Sequence, residues 1–106
     1  MSEDLRKFTD VDRVIHEPAR LLIVTILFTV EKADFLYLLR ETGLTKGNLS
    51  AHLVKLETAG YVRIEKTFRG KIPQTLISLT DEGRAAFDHY RKQLANIVSK
   101  LSEEPK

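Results

Sequence analysis

The chain contains no cysteine, which excludes a disulfide scaffold, a cysteine-ligated zinc site, an iron–sulfur cluster and a thiol nucleophile. It also lacks a long apolar run. The most apolar stretch, Leu21 to Val30, spans ten residues, whereas a membrane helix takes about 20. The N-terminus opens with Ser2, Glu3 and Asp4 before Arg6 and Lys7, which is not the basic-then-apolar order of a signal peptide. These absences predict a cytoplasmic protein with no membrane partner. No repeat or low-complexity tract interrupts the chain, and only Ser102 to Lys106 read as a frayed tail. A dominant charge is missing as well: 17 Lys and Arg against 15 Asp and Glu leave a net +2. Its distribution therefore matters more than its sum.

What is present suffices for one domain. A chain of 106 residues that is 42% hydrophobic and 30% charged can bury a single core. Glu17-Pro18 places a proline where the first turn of a helix tolerates it, and Leu21, Leu22, Ile23, Val24, Ile26, Leu27 and Phe28 follow without polar alternation. This predicts a helix buried on most sides. Asp34 is placed to cap a second helix carrying Phe35, Leu38 and Leu39 on one face, and Gly43 supplies a left-handed stop. Thr45 then caps a third, in which Leu49, Leu53 and Leu56 form the buried stripe before Gly60. Two helices joined by a turn containing Gly43 make a helix-turn-helix over about residues 34–59.

After Gly60 the period changes from 3.6 to 2. Tyr61 to Lys66 and Leu76 to Leu79 read as strands, with Phe68 to Pro73 as the loop between them. Thr80 caps a last helix over about 81–101, with Asp81 and Glu82 in its first turn where the dipole favours negative charge. Before residue 17, Leu5, Phe8, Val11 and Ile15 have nearly helical spacing and suggest a short N-terminal helix. The expected fold is mainly α with a small β-hairpin: a winged helix-turn-helix with a C-terminal dimerisation helix, occupying residues 1–106 as one domain.

The stretch from Gly43 through Leu53, followed by Leu56-Glu57 and Ala59-Gly60-Tyr61-Val62, resembles the recognition-helix region of small winged-helix transcription regulators. The resemblance continues through Lys66, Phe68, Gly70, Lys71, Pro73 and Thr75 into Leu79 to Arg84, covering roughly residues 14 to 94. It is nearest to compact single-domain relatives of the MarR and ArsR families. Such a resemblance implies sequence-specific binding of double-stranded DNA by a homodimer, with the third helix in the major groove and the hairpin near the minor groove. The chain departs from larger relatives in lacking the long flanking helices that enclose a ligand cleft, and the cysteine metal sites. An effector is left open.

The residues themselves point to the same surface. On a wheel of about 100° per residue, Leu53 and Leu56 fall within about 40° of Leu49, and Gly47, Asn48, Ala51 and Lys55 lie opposite. Small Gly47 and Ala51 let the backbone approach base edges, while Asn48 and Lys55 offer hydrogen bonds to bases or phosphates. Thr45, Lys46 and Ser50 sit at or near the helix N-terminus, where free N–H groups receive phosphate; for Thr45 ordinary capping is the better explanation, since the helix needs a cap with or without DNA. His52 lies on a flank, so it serves either DNA or the protein's own packing. Lys66, Arg69 and Lys71 place cations on the wing. Across residues 44 to 75, six basic residues against two acidic ones give +4, leaving −2 for the rest. Phe68, Ile72 and Pro73 are expected to pack and shape the wing.

In the last helix Phe87, Tyr90, Leu94, Ile97 and Leu101 are spaced by 3, 4, 3 and 4, a heptad seam suited to a dimer interface. A two-fold dimer would match a palindromic operator. No phosphate-binding glycine loop, HExxH or nucleophile elbow occurs, so no catalytic residue, metal or cofactor is expected. His16, His52 and His89 fall in different elements. The competing expectation is a winged helix used as a protein interaction module, since the fold serves both ends; that use would expose more Leu, Phe or Tyr on the third helix.

Overall fold

The computed structural model describes residues 3–103; the end of the expected frayed tail, residues 104–106, lies outside them. The elements run α1 (Glu3–Lys7), a 3-10 turn (Phe8–Asp10), α2 (Pro18–Phe28), β1 (Ala33–Asp34), α3 (Phe35–Thr42), α4 (Lys46–Thr58), β2 (Val62–Arg69), β3 (Ile72–Leu79) and α5 (Asp81–Leu101). The outline is elongated, 64 × 24 × 22 Å.

Local chemistry sets each boundary. The Glu17 carboxylate accepts from the backbone N–H groups of Ala19 and Arg20, both at 2.9 Å, and Pro18 occupies the first helical turn of α2. Asp34 accepts from Leu36 N–H at 2.6 Å and Tyr37 N–H at 3.4 Å at the start of α3, and Gly43 closes that helix at φ 70°. Thr45 caps α4, and Thr80 caps α5 by accepting from Gly83 N–H at 3.0 Å. Each cap satisfies donors that a helix start would otherwise leave bare. Near the N-terminus the expected helix is interrupted. The Asp12 carboxylate accepts from Val14 and Ile15 N–H at 2.9 and 3.1 Å, and this local turn competes with helix continuation.

The sheet is antiparallel in the order β1-β3-β2. Its short first strand pairs Ala33 with Ile77 and Asp34 with Leu76, an element too brief to give a periodic signal. The wing differs from expectation in its loop. Pairing continues through Phe68 with Pro73 and Arg69 with Ile72, so the six-residue loop contracts to a two-residue turn, Gly70-Lys71. Gly70 has φ 64° and no other residue type has positive φ among the described residues, the pattern of a hairpin with glycine first in its turn. Pro73 fits because its missing N–H falls on the side of β3 beyond the end of β1.

Ile15, Ile23, Leu27, Leu38, Leu49, Leu56 and Ile77 are fully buried at the centre of one core that α2, α3, α4, the sheet and α5 share. α2 is buried on most sides, as expected: Ile23, Val24 and Leu27 are inside and Leu21, Ile26 and Phe28 pack against the core, while Pro18, Leu22 and Thr25 form one exposed stripe. α5 divides along its length. Phe87 stacks on Phe28 with ring centroids 5.1 Å apart, and Tyr90 is buried with its hydroxyl 2.9 Å from His16 Nδ1. These two residues belong to the core of the protomer, and so drop out of the dimer seam expected of them. The seam's remainder differs: Leu94 is 37% and Leu101 79% exposed, and Ile97 is half-buried.

Candidate nucleic-acid interface

The helix α4 is positioned by its leucines. Burial of Leu49, Leu53 and Leu56 forces the opposite side outward, and Lys46, Gly47, Asn48, Ser50, Ala51, Val54, Lys55 and Thr58 are all exposed. Thr45 is exposed but its hydroxyl is engaged, accepting from Asn48 N–H at 3.1 Å. Gly47 has nothing within 4 Å of where a Cβ would stand, so its small size serves no internal packing.

His52 stands apart from this face. Its Nδ1 lies 3.1 Å from the Arg20 guanidinium and 3.5 Å from a Glu17 carboxylate oxygen. Because guanidinium only donates, a neutral His52 accepts at Nδ1 and carries its proton on Nε2. Arg20 also donates to Val14 O at 2.6 Å. Burial opposes ionisation of Glu17, but the N–H groups of Ala19 and Arg20, with the nearby His52 and Arg20, outweigh it and hold the carboxyl below its ordinary 4.5. The structure thus brings His52 into a bridge between α2 and α4.

The wing stands beside α4. Ser50, Val54, Lys66, Thr75, Phe35, Leu53 and Ile64 line a hollow of about 390 Å³ between them, which joins Lys66 to the helix. Arg69 and Lys71 are exposed at the tip. Among the described residues, Lys46, Lys55, Lys66, Arg69 and Lys71 have no carboxylate within ion-pair distance. Elsewhere the pattern is mixed: Lys32 pairs with Glu65, and Arg91 and Lys92 with Asp88, whereas Arg13 and Arg84 donate only to backbone carbonyls. The five without a carboxylate on α4 and the wing are all exposed. Arg63, counted in the basic segment, is also without a carboxylate partner among the described residues but lies at the wing's base, where it lines a hollow with Ser78 and Asp81.

Several residues of this surface escape a sequence reading. Arg13 and Arg20 line a hollow of about 440 Å³ with Lys55 and Val54; the irregular segment that carries Arg13 has no period to announce its placement. Val54, 56% exposed, was legible, since the wheel puts it about 140° from Leu49. The expectation that Phe68 and Ile72 pack within the wing is overturned: each is 69% exposed, because the longer strands carry them past the end of the core.

The family model for the winged helix DNA-binding domain matches residues 19–98. The chain belongs to this family. The winged helix domain is 37% identical over 90 residues to an uncharacterized protein of Methanocaldococcus jannaschii, covering 84% of this chain and 97% of that one. It also superposes on a transcriptional regulator homologue from Pyrococcus horikoshii with a TM-score of 0.86 and 27% identity, over 96% of this chain and 100% of that one. A MarR-family regulator from Silicibacter pomeroyi shares the fold at a TM-score of 0.66 and 20% identity, covering 97% of this chain and 67% of that one. No described helix of the winged helix domain is long and apolar enough to cross a membrane. Among the described residues no group of three or more histidine or acidic side chains could hold a metal ion.

Proposed function

We propose that this chain is a transcriptional regulator that binds double-stranded DNA as a homodimer and represses by occupying its operator. In this reading α4 enters the major groove and the wing meets the backbone or the minor groove. The observation that carries it is the set of unpaired cations, Lys46, Lys55, Lys66, Arg69 and Lys71, around an exposed helix face whose centre is Gly47 and Ala51. Small residues at the centre admit base edges, and cations at the rim meet phosphates. Asn48 and Ser50 are the polar groups at hand for base edges, and Thr45 leaves its neighbouring N–H groups facing the phosphate side. The likeness to a regulator homologue supports the regulatory role. A DNA ligand implies action in the cytoplasm, in keeping with the cysteine-free composition.

The dimer reading rests on the far end of α5, where Leu94, Val98 and Leu101 are exposed and Ile97 is half-buried. A two-fold pairing there would present two copies of α4 to half-sites about one helical turn apart. Selection of bound duplexes from a random library tests the whole reading. An inverted repeat should emerge, and affinity for it should fall steeply with salt. Failure to enrich any sequence, or an affinity indifferent to salt, sinks it.

A further inference from the structure

The wing ends in two apolar side chains, Phe68 and Ile72, that the protein leaves mostly exposed. Strand partners share a face of a ribbon and successive residues alternate. Phe68 pairs with Pro73 and Arg69 with Ile72, so Phe68 and Ile72 project from opposite faces, one residue pair apart, just before the Gly70-Lys71 turn. Phe68 continues the face that carries Val62 and Ile64, but Val62 is buried and Ile64 half-buried, whereas the core has ended by Lys66. The alternation that builds the core thus runs on into solvent.

Charge selects the occupant. No acidic residue occurs between Lys66 and Thr80, and Lys66, Arg69 and Lys71 have no carboxylate partner among the described residues. A second copy of the wing would bring like charges together. A minor groove offers the complement, apolar sugar walls between two rows of phosphates. Proteins that bind there use apolar side chains to widen the groove or part a base step.

We propose that Phe68 and Ile72 grip the two sugar walls of a minor groove and widen it, while Arg69 and Lys71 hold its phosphates. The proposal rests on the DNA-binding reading above and adds to it a contact that involves no charge. A groove about 6 Å wide must open to admit a ribbon with side chains on both faces. The wing therefore favours deformable pyrimidine–purine steps and selects sequence through their flexibility.

The test uses the full chain and a duplex of about three helical turns carrying the selected sequence, with affinity measured over a salt series. Phe68→Ala and Ile72→Ala should each weaken binding roughly tenfold at every salt concentration and leave the salt slope unchanged, because apolar contacts release no counterions. Phe68→Leu should recover most of the loss. Arg69→Ala should instead lower the slope by about one. Binding equal to the parent's in both alanine variants overturns the proposal. So does a loss of affinity that tracks dissociation of the dimer in sedimentation, which would make these residues a contact between copies. If the parent chain shows no salt-dependent duplex binding, the DNA-binding reading falls together with this one.

Discussion

Arg20 reaches across from α2 to His52 on α4, with its guanidinium 3.1 Å from the Nδ1 atom of the ring. The contact fastens α4 to the helix behind it, and Glu17 joins both as cap of α2 and neighbour of each side chain. A histidine that served DNA alone would be free of such partners.

His52→Ala should therefore lower stability to urea by about 1 kcal/mol, the usual net value of a hydrogen bond in a partly buried setting. A variant as stable as the parent, with DNA affinity alone reduced, would return His52 to the DNA-facing set.

Gly83 bears on the base of the wing. A Cβ there would stand 2.1 Å from the carbonyl oxygen of Tyr61, which also accepts from Thr80 N–H at 3.0 Å. Since both contacts are backbone, the strand and helix must part to make room. Gly83→Ala should cost about 1–3 kcal/mol by overpacking, despite alanine's better helix propensity. Thermal or urea unfolding checks this, and an unchanged or raised midpoint would contradict it.

The Tyr61 hydroxyl donates to the Asp12 carboxylate. Burial, with that hydrogen bond and the charge of Asp12, pushes the phenol from 10.0 up to about 12. A raised folded-state value means that the stabilisation is complete below pH 10 and fades as pH climbs from 10 towards 12. Tyr61→Phe should be less stable than the parent at neutral pH by about 1 kcal/mol, and the gap should narrow over that alkaline window. A constant gap up to pH 12 would remove the linkage.

Asp34 gives the acid counterpart. The side-chain amide of Gln74, 3.1 Å from its carboxylate, does most to hold its pKa below 3.8, aided by the cap bonds from Leu36 and Tyr37. Because the folded value is depressed, this stabilisation is present above pH 3.8 and is lost as pH falls through the lowered value. Asp34→Ala should cost about 1 kcal/mol at neutral pH, with the cost disappearing in strong acid. Urea midpoints across the acid range would show it.

In the proposed dimer the end of α5 forms the interface. Leu94 and Leu101 lie outside the core, so Leu94→Glu should leave the fold intact by circular dichroism and yield monomers in sedimentation. A dimer that persists would move the interface elsewhere.

Helix starts were the most legible features of the sequence, since Glu17-Pro18, Asp34, Thr45 and Thr80 act through bonds to residues two or three positions away. The buried leucines of α4 were equally plain, and with them the exposure of Lys46, Asn48, Ser50, Ala51 and Lys55. What periodicity could not show depends on distant partners. Tyr90 has heptad spacing, yet it is buried with His16 of the N-terminal segment against it, and only the assembled fold reveals which end of α5 is free. The extent of the wing was hidden by Pro73, a residue that reads as a loop until the open edge beyond β1 gives it a place in a strand. His52 was ambiguous for the same reason, because its partner Arg20 lies 32 residues away.

The two-residue strand β1 has a mechanical consequence. Ala33 and Asp34 are hydrogen-bonded into the sheet immediately before Phe35 opens α3, and Asp34 also holds Gln74 of the wing. The helix pair and the ribbon are thereby tied together at one joint. In the proposed DNA complex such a joint would set the number of base pairs between the helix and wing contacts: inserting one base pair between them would turn the second contact about a tenth of a helical turn out of line, and the duplex would have to absorb the twist.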